Sequence, residues 1–245
     1  MPGILPIDHV DLWTVSLTAG SEQYARFSQS LSSDEMVRAD RFKFERDRRR
    51  FVVGRGALRS ILASYLERDP KSIQFAYGPQ GKPMLAEAAT SGVLQFNASG
   101  SNELAVCAVT AGRRVGVDIE HCRPIADGDL PDQCLTTAER TALSALEPAR
   151  RLAAFYRLWT LKEAFLKATG DGLSRPMSSV EFDIAPDGPL RLVGDQKPVS
   201  GENCWDFLEF DPGPQFLGTV VVSNRGCALH YRTWPLECCQ TATPP

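Results

Sequence analysis

A helix predicted from about Pro148 to Thr169 carries charges within its apolar stripe, and this feature constrains the fold more than any other. Placed at 100° steps, its large apolar residues form one face, made of Leu152, Phe155, Leu158, Trp159, Phe165 and Leu166. Lys162 falls inside that face and Glu163 lies at its margin. Because charges in apolar surroundings need partners, another element has to bring polar groups against this helix.

The segment VGVDIE, residues 115–120, has the alternation of a β-strand and supplies two further acids. Its branched apolar residues face one side, while Gly116, Asp118 and Glu120 face the other. Asp118 and Glu120 are then about 7 Å apart at Cα, two rises of a strand. If the helix packs beside this strand, Glu163 joins them in a hard oxygen site of the kind that Mg²⁺ prefers. Taken alone, the strand is equally compatible with two acids in solvent.

Two lysines flank the acid of the helix and indicate a ligand with phosphate groups. Lys162 and Lys167 would meet phosphates that share the metal ion. The alternative is that Glu163 and Lys167 form an ordinary i,i+4 pair while Lys162 extends to solvent. That alternative explains the pair, but it leaves a lysine inside the apolar stripe unexplained.

Two Gly-containing segments fit the same kind of ligand. Lys82 follows a glycine in YGPQGKPML, residues 77–85, and has little side-chain bulk around it. FNASGS, residues 96–101, ends a strand predicted at 93–97, and its backbone N–H groups would form an anion nest around Ser99 and Gly100. Both segments are also common turn sequences.

The stretch from Arg38 to Arg59 has nine Arg or Lys residues against three acids, on a chain of formal net charge −3. Helices are predicted over 33–44 and 46–66 within and around it. Such a stretch binds phosphate groups, nucleic acid or an acidic partner, or forms the solvated face of a helix. Its RFKFERDRRRF core resembles a nucleic-acid-binding surface, but phenylalanines 42, 44 and 51 are explained more simply as helix core.

Composition limits the remaining classes. A chain of 245 residues, 43% hydrophobic and 23% charged, is typical of a globular protein. The first residues, MPGILPIDHV, lack a basic start followed by an apolar run, and no segment reaches the length of a membrane span, so we expect a cytoplasmic location. Seven cysteines without a C-x-x-C pair favour free thiols over a disulfide framework or a zinc site.

Five motifs in order resemble the 4′-phosphopantetheinyl transferases of the Sfp type: RRRFVVGR, YGPQGKP, FNASGS, VGVDIE and LWTLKEAFLKATGDGL. The resemblance extends from about residue 31 to residue 173. It implies an α+β fold of two similar halves in one chain, a pseudo-dimer, each with a small, mainly antiparallel sheet packed on a long helix. We therefore expect an N-terminal half over residues 1–112, a C-terminal half over residues 113–245, and coenzyme A in the cleft between them.

The resemblance also implies the activity and its residues. The family transfers the 4′-phosphopantetheine arm of coenzyme A, with Mg²⁺, to a serine of an acyl, peptidyl or aryl carrier protein, and releases adenosine 3′,5′-bisphosphate. Asp118, Glu120 and Glu163 match the metal-binding acids. The positions matched to coenzyme binding are Arg50, Lys82, Ser99, Gly100, Lys162 and Lys167. Glu163 is the predicted general base, and Lys167 is the second predicted catalytic residue.

One residue departs from the family pattern. Gly100 stands where the family commonly has histidine, so a side-chain contact to a coenzyme phosphate is missing. The backbone N–H of Gly100 or the hydroxyl of Ser101 would have to replace that contact.

Two other functions use the same residues less completely. A Mg²⁺-dependent nucleotide phosphohydrolase needs the acids and lysines but no carrier protein. A nucleic-acid-binding module leaves the three acids unexplained. The expected partners are therefore coenzyme A and a carrier protein, with neither nucleic acid nor membrane. We expect a monomer, because one chain already contains both halves of the cleft.

Overall fold

A computed structural model of the chain describes residues 5–78, 81–86, 94–125, 134–170, 172–183, 188, 190–196 and 204–234. The helices are α1 (Ser21–Ser30), α2 (Ser33–Ala39), α3 (Glu45–Leu66), α4 (Thr137–Ser144) and α5 (Pro148–Thr169). The strands are β1 (His9–Ser16), β2 (Phe75–Tyr77), β3 (Pro83–Leu85), β4 (Leu94–Ser101), β5 (Leu104–Ala111), β6 (Val115–His121), β7 (Val180–Asp183), β8 (Arg191–Asp195), β9 (Trp205–Phe210), β10 (Phe216–Ser223) and β11 (Ala228–Trp234). Within these ranges, no helix has the length and hydropathy that a bilayer span requires.

The strands form two principal sheets. The first has the order β11-β1-β5-β4, in which only β1 and β11 pair in parallel. The second is antiparallel, with the order β6-β10-β9. The first sheet shares a core with the 22-residue helix α3, and the second with the 22-residue helix α5. The predicted α+β class, with a small sheet packed on a long helix in each half, is confirmed.

Alternation along the strands places the core in layers. On β1, Trp13 and Val15 pack with α3, whereas Leu12 faces a third cluster shared with Val117 of β6 and Val220 of β10. That cluster lies between the two sheets, so each sheet is covered by its helix on one side and by the other sheet on the opposite side. The two halves therefore pack as one body through apolar side chains.

The last strand crosses between the halves. β11 pairs with β1 from His9↔Ala228 to Val15↔Trp234, and so it lies in the first sheet although it ends the described chain. The second sheet consists of β6, β9 and β10, which all precede β11 in the chain. The predicted halves, residues 1–112 and 113–245, are therefore stretches of sequence that do not coincide with the two sheets. The domain boundary between residues 112 and 113 stays a prediction.

Two predicted elements have different ends in the structure. Helix α2 ends at Ala39, five residues before the predicted end at Phe44. The side chains of Phe42 and Phe44 are 39% and 59% exposed, so the prediction that they belong to the helix core is wrong. Strand β4 continues to Ser101, beyond its predicted end at Asn97, and the chain turns at Asn102, which has φ 52°. The predicted start of that strand, Val93, lies outside the described residues.

Candidate active site

Helix α5 lies directly on β6 because Gly116 has no side chain. A Cβ atom at that position would collide with the backbone of Ala164 and Ala168. Since alternate residues of a strand share a face, Asp118 and Glu120 also point towards α5. The structure thus confirms that the helix packs beside the VGVDIE strand.

Asp118 is the centre of the polar cluster at this contact. Its side chain is almost fully buried, at 3% exposure. Oδ1 accepts a hydrogen bond from Lys167 Nζ at 2.7 Å and another from Ser99 Oγ at 2.7 Å. Oδ2 is also buried, but it has no hydrogen-bond partner in the described part of the chain. A buried carboxylate oxygen without a partner is costly, so this atom is placed to accept from or bind something further.

Glu120 and Glu163 are half-buried, and both interact electrostatically with Asp118. Burial raises the pKa of Glu163, an effect opposed by Lys167 and reinforced by the charges of Asp118 and Glu120. Burial likewise raises the pKa of Glu120, while its hydrogen bond from Ser101 acts in the opposite direction. The three acids are therefore close enough to repel one another, and a cation among them would relieve that repulsion.

The fit of the acid cluster to a metal ion depends on its donor atoms and on how closely they converge. In the part of the chain that the structure describes, no three Asp, Glu, His or Cys side chains converge closely enough to hold a metal ion as they stand. The ammonium group of Lys167 pairs instead with Asp118. The unpartnered Oδ2 of Asp118 and the exclusively oxygen donors nevertheless suit a hard cation such as Mg²⁺. The residue types fit the ion, and their side chains would have to close further around it.

Lys82 joins the two halves at the edge of this cluster. Its Nζ donates to the carbonyl oxygens of Val115 at 3.2 Å and of Lys167 at 2.6 Å. Burial lowers its pKa to about 8, with further contributions from the charges of Lys167 and Arg114. The structure thus brings the ammonium group of Lys82 against the backbone of β6 and α5, within electrostatic reach of the Lys167 side chain.

A cleft of about 530 Å³ opens next to Glu120. Its lining includes Arg46, Arg50, Glu120, Arg123, Tyr156 and Trp159. Arg50 is held there by Asn102, whose Oδ1 accepts from Arg50 Nη2 at 3.1 Å, and by Glu103 at 3.6 Å. Three arginines beside an aromatic wall suit a ligand with both anionic and apolar parts.

The predicted anion nest at FNASGS is not present. These residues lie within β4, where Ser99 pairs with Val106 and Gly100 with Ala105 of β5. The hydroxyl group of Ser99 joins the acid cluster instead, as a donor to Asp118 and an acceptor from Lys167 at 3.1 Å. Gly100 is exposed, and a Cβ atom there would meet its nearest neighbour, the Leu104 carbonyl oxygen, at an ordinary 3.5 Å. Gly100 thus has room for a side chain.

Lys162 does not join the cluster, which corrects its prediction as a coenzyme-binding residue. Its side chain is completely buried and forms an ion pair with the carboxylate of Glu139. Nζ also donates to the carbonyl oxygens of Cys134 at 2.9 Å and Met177 at 3.1 Å. Because the side chain is completely buried and its ammonium group is held by these three acceptors, Lys162 is not accessible to a phosphate, unlike Lys167, which is 24% exposed.

Sequence reasoning missed the role of Asn97, and it left Ser101 only as a substitute for a missing histidine. Asn97 Oδ1 accepts a hydrogen bond from the backbone N–H of Val117 at 2.9 Å. Ser101 Oγ donates to Glu120 Oε2 at 2.8 Å and accepts from the N–H of His121 at 3.1 Å. The polar residues at alternate positions of FNASGS were the available signal, since they share one face of a strand.

Comparisons with known proteins match both parts of the chain. Residues 114–221 match the 4′-phosphopantetheinyl transferase superfamily model, and residues 16–112 match the model for the N-terminal part of a 4′-phosphopantetheinyl transferase. The chain is 38% identical to 4′-phosphopantetheinyl transferase HetI of Nostoc sp., over 89% of this chain and 90% of that protein. It is 28% identical to 4′-phosphopantetheinyl transferase Sfp of Bacillus subtilis, over 78% and 83% of the two chains. A solved holo-(acyl-carrier-protein) synthase of Bacillus anthracis, in complex with CoA (3′,5′-ADP), matches at a TM-score of 0.37 and 22% identity, over 44% of this chain and 93% of that one.

Proposed function

The chain belongs to the 4′-phosphopantetheinyl transferase superfamily, and we propose that it transfers the 4′-phosphopantetheine arm of coenzyme A to a serine of an acyl, peptidyl or aryl carrier protein. The observation that carries this function is the meeting of Asp118, Glu163 and Lys167 on two elements that pack together beside a basic and aromatic cleft. The family matches give no support to the phosphohydrolase or the nucleic-acid-binding alternative.

The chemistry is a phosphoryl transfer. The carrier serine oxygen forms a new bond to the phosphorus that bears the pantetheine arm, while the bond from that phosphorus to the bridging pyrophosphate oxygen breaks. The second phosphate leaves as part of adenosine 3′,5′-bisphosphate. Negative charge grows on the leaving group, where Lys167 and Lys82 would neutralise it.

Glu163 is the group proposed to accept the serine proton. Its raised pKa, caused by burial and by the neighbouring acids, brings the carboxylate closer to the proton affinity that a base needs at neutral pH. Lys167, one helical turn further along α5, opposes that shift because its positive charge favours the ionised carboxylate. This pairing assigns Glu163 to proton transfer and Lys167 to charge stabilisation.

Asp118, Glu120 and Glu163 are the residues proposed to hold Mg²⁺. The bound ion would supply additional positive charge against the pyrophosphate oxygens. Oδ2 of Asp118 supports the assignment because it is buried without a partner. The pKa values of Glu120 and Glu163, both raised by burial and by neighbouring acids, support it as well.

Coenzyme A is proposed to lie between residues 1–112 and residues 113–245, with Arg50, Lys82 and Lys167 facing it, while the hydroxyl group of Ser99 stays bonded to Asp118. The arginine side chains of the basic stretch around Arg50 differ in their exposure to solvent. Arg59 is buried against Glu35 and is structural, Arg50 is 20% exposed at the cleft, and Arg46 is 72% exposed. We assign Arg50 to the coenzyme and Arg46 to the electrostatic attraction of an acidic carrier. A monomeric state and a cytoplasmic location stay predictions.

The test is the mass of a carrier protein after incubation with coenzyme A, Mg²⁺ and the enzyme. The wild type should add one phosphopantetheine, and Asp118→Asn should not. Asp8→Asn is the matched control, because its side chain is 61% exposed and lies outside the cluster. Release of adenosine 3′,5′-bisphosphate without any gain in carrier mass would instead establish a phosphohydrolase.

A further inference from the structure

The edge strands β4 and β6 belong to different sheets, yet they meet along their length. The contact is made by side chains of β4 on one face, at positions 97, 99 and 101. Asn97 and Ser101 accept hydrogen bonds from backbone N–H groups of β6, and Ser99 donates to Asp118. This polar seam satisfies N–H groups of an edge strand that would otherwise be unpaired.

The hydroxyl group of Ser101 is fixed by two hydrogen bonds to β6. A hydroxyl group has one proton to donate and two lone pairs that accept. Its oxygen accepts from His121 N–H at 3.1 Å, and its proton goes to Glu120 Oε2 at 2.8 Å. Both bonds join the side chain to consecutive residues of β6. The orientation of the hydroxyl group is therefore set by β6.

Glu120 needs such a restraint more than Asp118 does. Asp118 has a short side chain and is held by Lys167 and Ser99 together. Glu120 has one more rotatable bond and is half-exposed at the cleft, so ordering it costs more conformational entropy. The bond from Ser101 fixes Oε2 and leaves Oε1 as the oxygen available to a ligand.

We propose that Ser101 is a positioning residue that orients Glu120 for cation binding, an inference that rests on the proposed function of Glu120 as a metal ligand. It excludes the simpler idea that Ser101 replaces the missing histidine as a phosphate contact. The proton needed for a phosphate is already donated to Glu120. The two roles predict different effects of removing the hydroxyl group. If Ser101 orients Glu120, metal binding weakens; if Ser101 contacts a phosphate, coenzyme binding weakens.

The experiment measures Mn²⁺ binding by electron paramagnetic resonance, with the full chain, coenzyme A and no carrier protein. Ser101→Ala should weaken Mn²⁺ about tenfold or more, as is typical when a group that orients a metal ligand is removed. Ser101→Thr keeps the hydroxyl group and should restore binding. Ser64→Ala is the matched control, because Ser64 makes a comparable hydrogen bond, to Ile61 O at 2.6 Å on α3. If the alanine variant fails to fold, Ser101→Cys gives the same comparison, since a thiol is a weak donor.

Three results would overturn the inference. Mn²⁺ affinity that is unchanged in both Ser101→Ala and Ser101→Cys shows that Glu120 does not depend on this bond. A raised Michaelis constant for coenzyme A with unchanged metal affinity shows that the hydroxyl group serves the coenzyme. A wild type that binds no Mn²⁺ removes the metal role of Glu120 and this inference with it. The transferase function is judged separately, by the mass of the carrier.

Discussion

Replacing Lys162 by alanine separates the structural role seen here from the coenzyme-binding role expected from the motif. The substitution removes the only cation paired with Glu139 among the residues described, and the carbonyl oxygens of Cys134 and Met177 each lose the hydrogen bond from Nζ. Glu139 is 2% exposed and also accepts from the N–H groups of Thr136 and Phe182. The carboxylate therefore cannot move to solvent unless the first turn of α4 and the hydrogen bond to β7 are disrupted.

Breaking a buried ion pair by removing one partner costs about 3–5 kcal/mol. For a chain of this size each kcal/mol lowers the melting temperature by about 2–4 °C, so Lys162→Ala should lower it by about 6–20 °C. Differential scanning calorimetry measures this change. At a temperature where the variant is still folded, its Michaelis constant for coenzyme A should equal that of the wild type.

Two further variants make the test specific. Lys167→Ala removes a lysine that is 24% exposed at the acid cluster, so it should lower transfer strongly even at a temperature where the variant is still folded. Lys162→Met combined with Glu139→Gln keeps the acceptor oxygen at the cap without a buried charge, and it should recover a large part of the lost stability. An unchanged melting temperature in Lys162→Ala, together with a raised Michaelis constant for coenzyme A, would refute the structural role. It would support the prediction that Lys162 contacts a phosphate of the coenzyme.

The remaining predictions concern three positions. Gly116→Ala should cost about 1–3 kcal/mol in thermal unfolding and reduce transfer, because it forces α5 away from β6. The Michaelis constant for coenzyme A should rise above pH 8, where Lys82 loses its proton, and Lys82→Arg should flatten that rise in initial-rate measurements from about pH 7 to about pH 9. Gly100→His and Gly100→Val should both fold, since the position has room, but only histidine should lower the Michaelis constant for coenzyme A.

The helices and strands were predictable wherever the local signals agreed. Helix α5 begins at Pro148 and ends before Gly170, as predicted, because proline favours the first helical position and glycine takes the left-handed conformation, here with φ 84°. The region between α2 and α3 was not predictable in the same way. Phe42 and Phe44 extended an apparent helical stripe, but both side chains are exposed and helix α2 had already ended.

The segment FNASGS shows how tertiary structure overrides local preference. Ser and Gly favour turns, and the segment was therefore predicted as a nest at the end of a strand. In the structure the same residues continue β4, because their polar side chains pair with β6 across the seam. The segment contributes to the site through its hydroxyl groups, which bond Asp118 and Glu120, and not through a backbone anion nest.

Lys162 and Glu163 mark the limit of prediction within the site. Periodicity showed that Lys162 lies in the apolar stripe and needs a partner, but it could not choose between a phosphate and a distant acid. The partner is Glu139, the N3 residue of the capping box that Thr136 opens at the start of α4. The direction of the Lys162 side chain also sets the direction of the next residue, Glu163. Because consecutive helical residues are 100° apart, holding Lys162 towards α4 turns Glu163 towards β6 and the acids there. We infer that this buried pair sets the rotation of α5 about its axis, so that the position of the proposed base is determined by an ion pair that never meets the substrate.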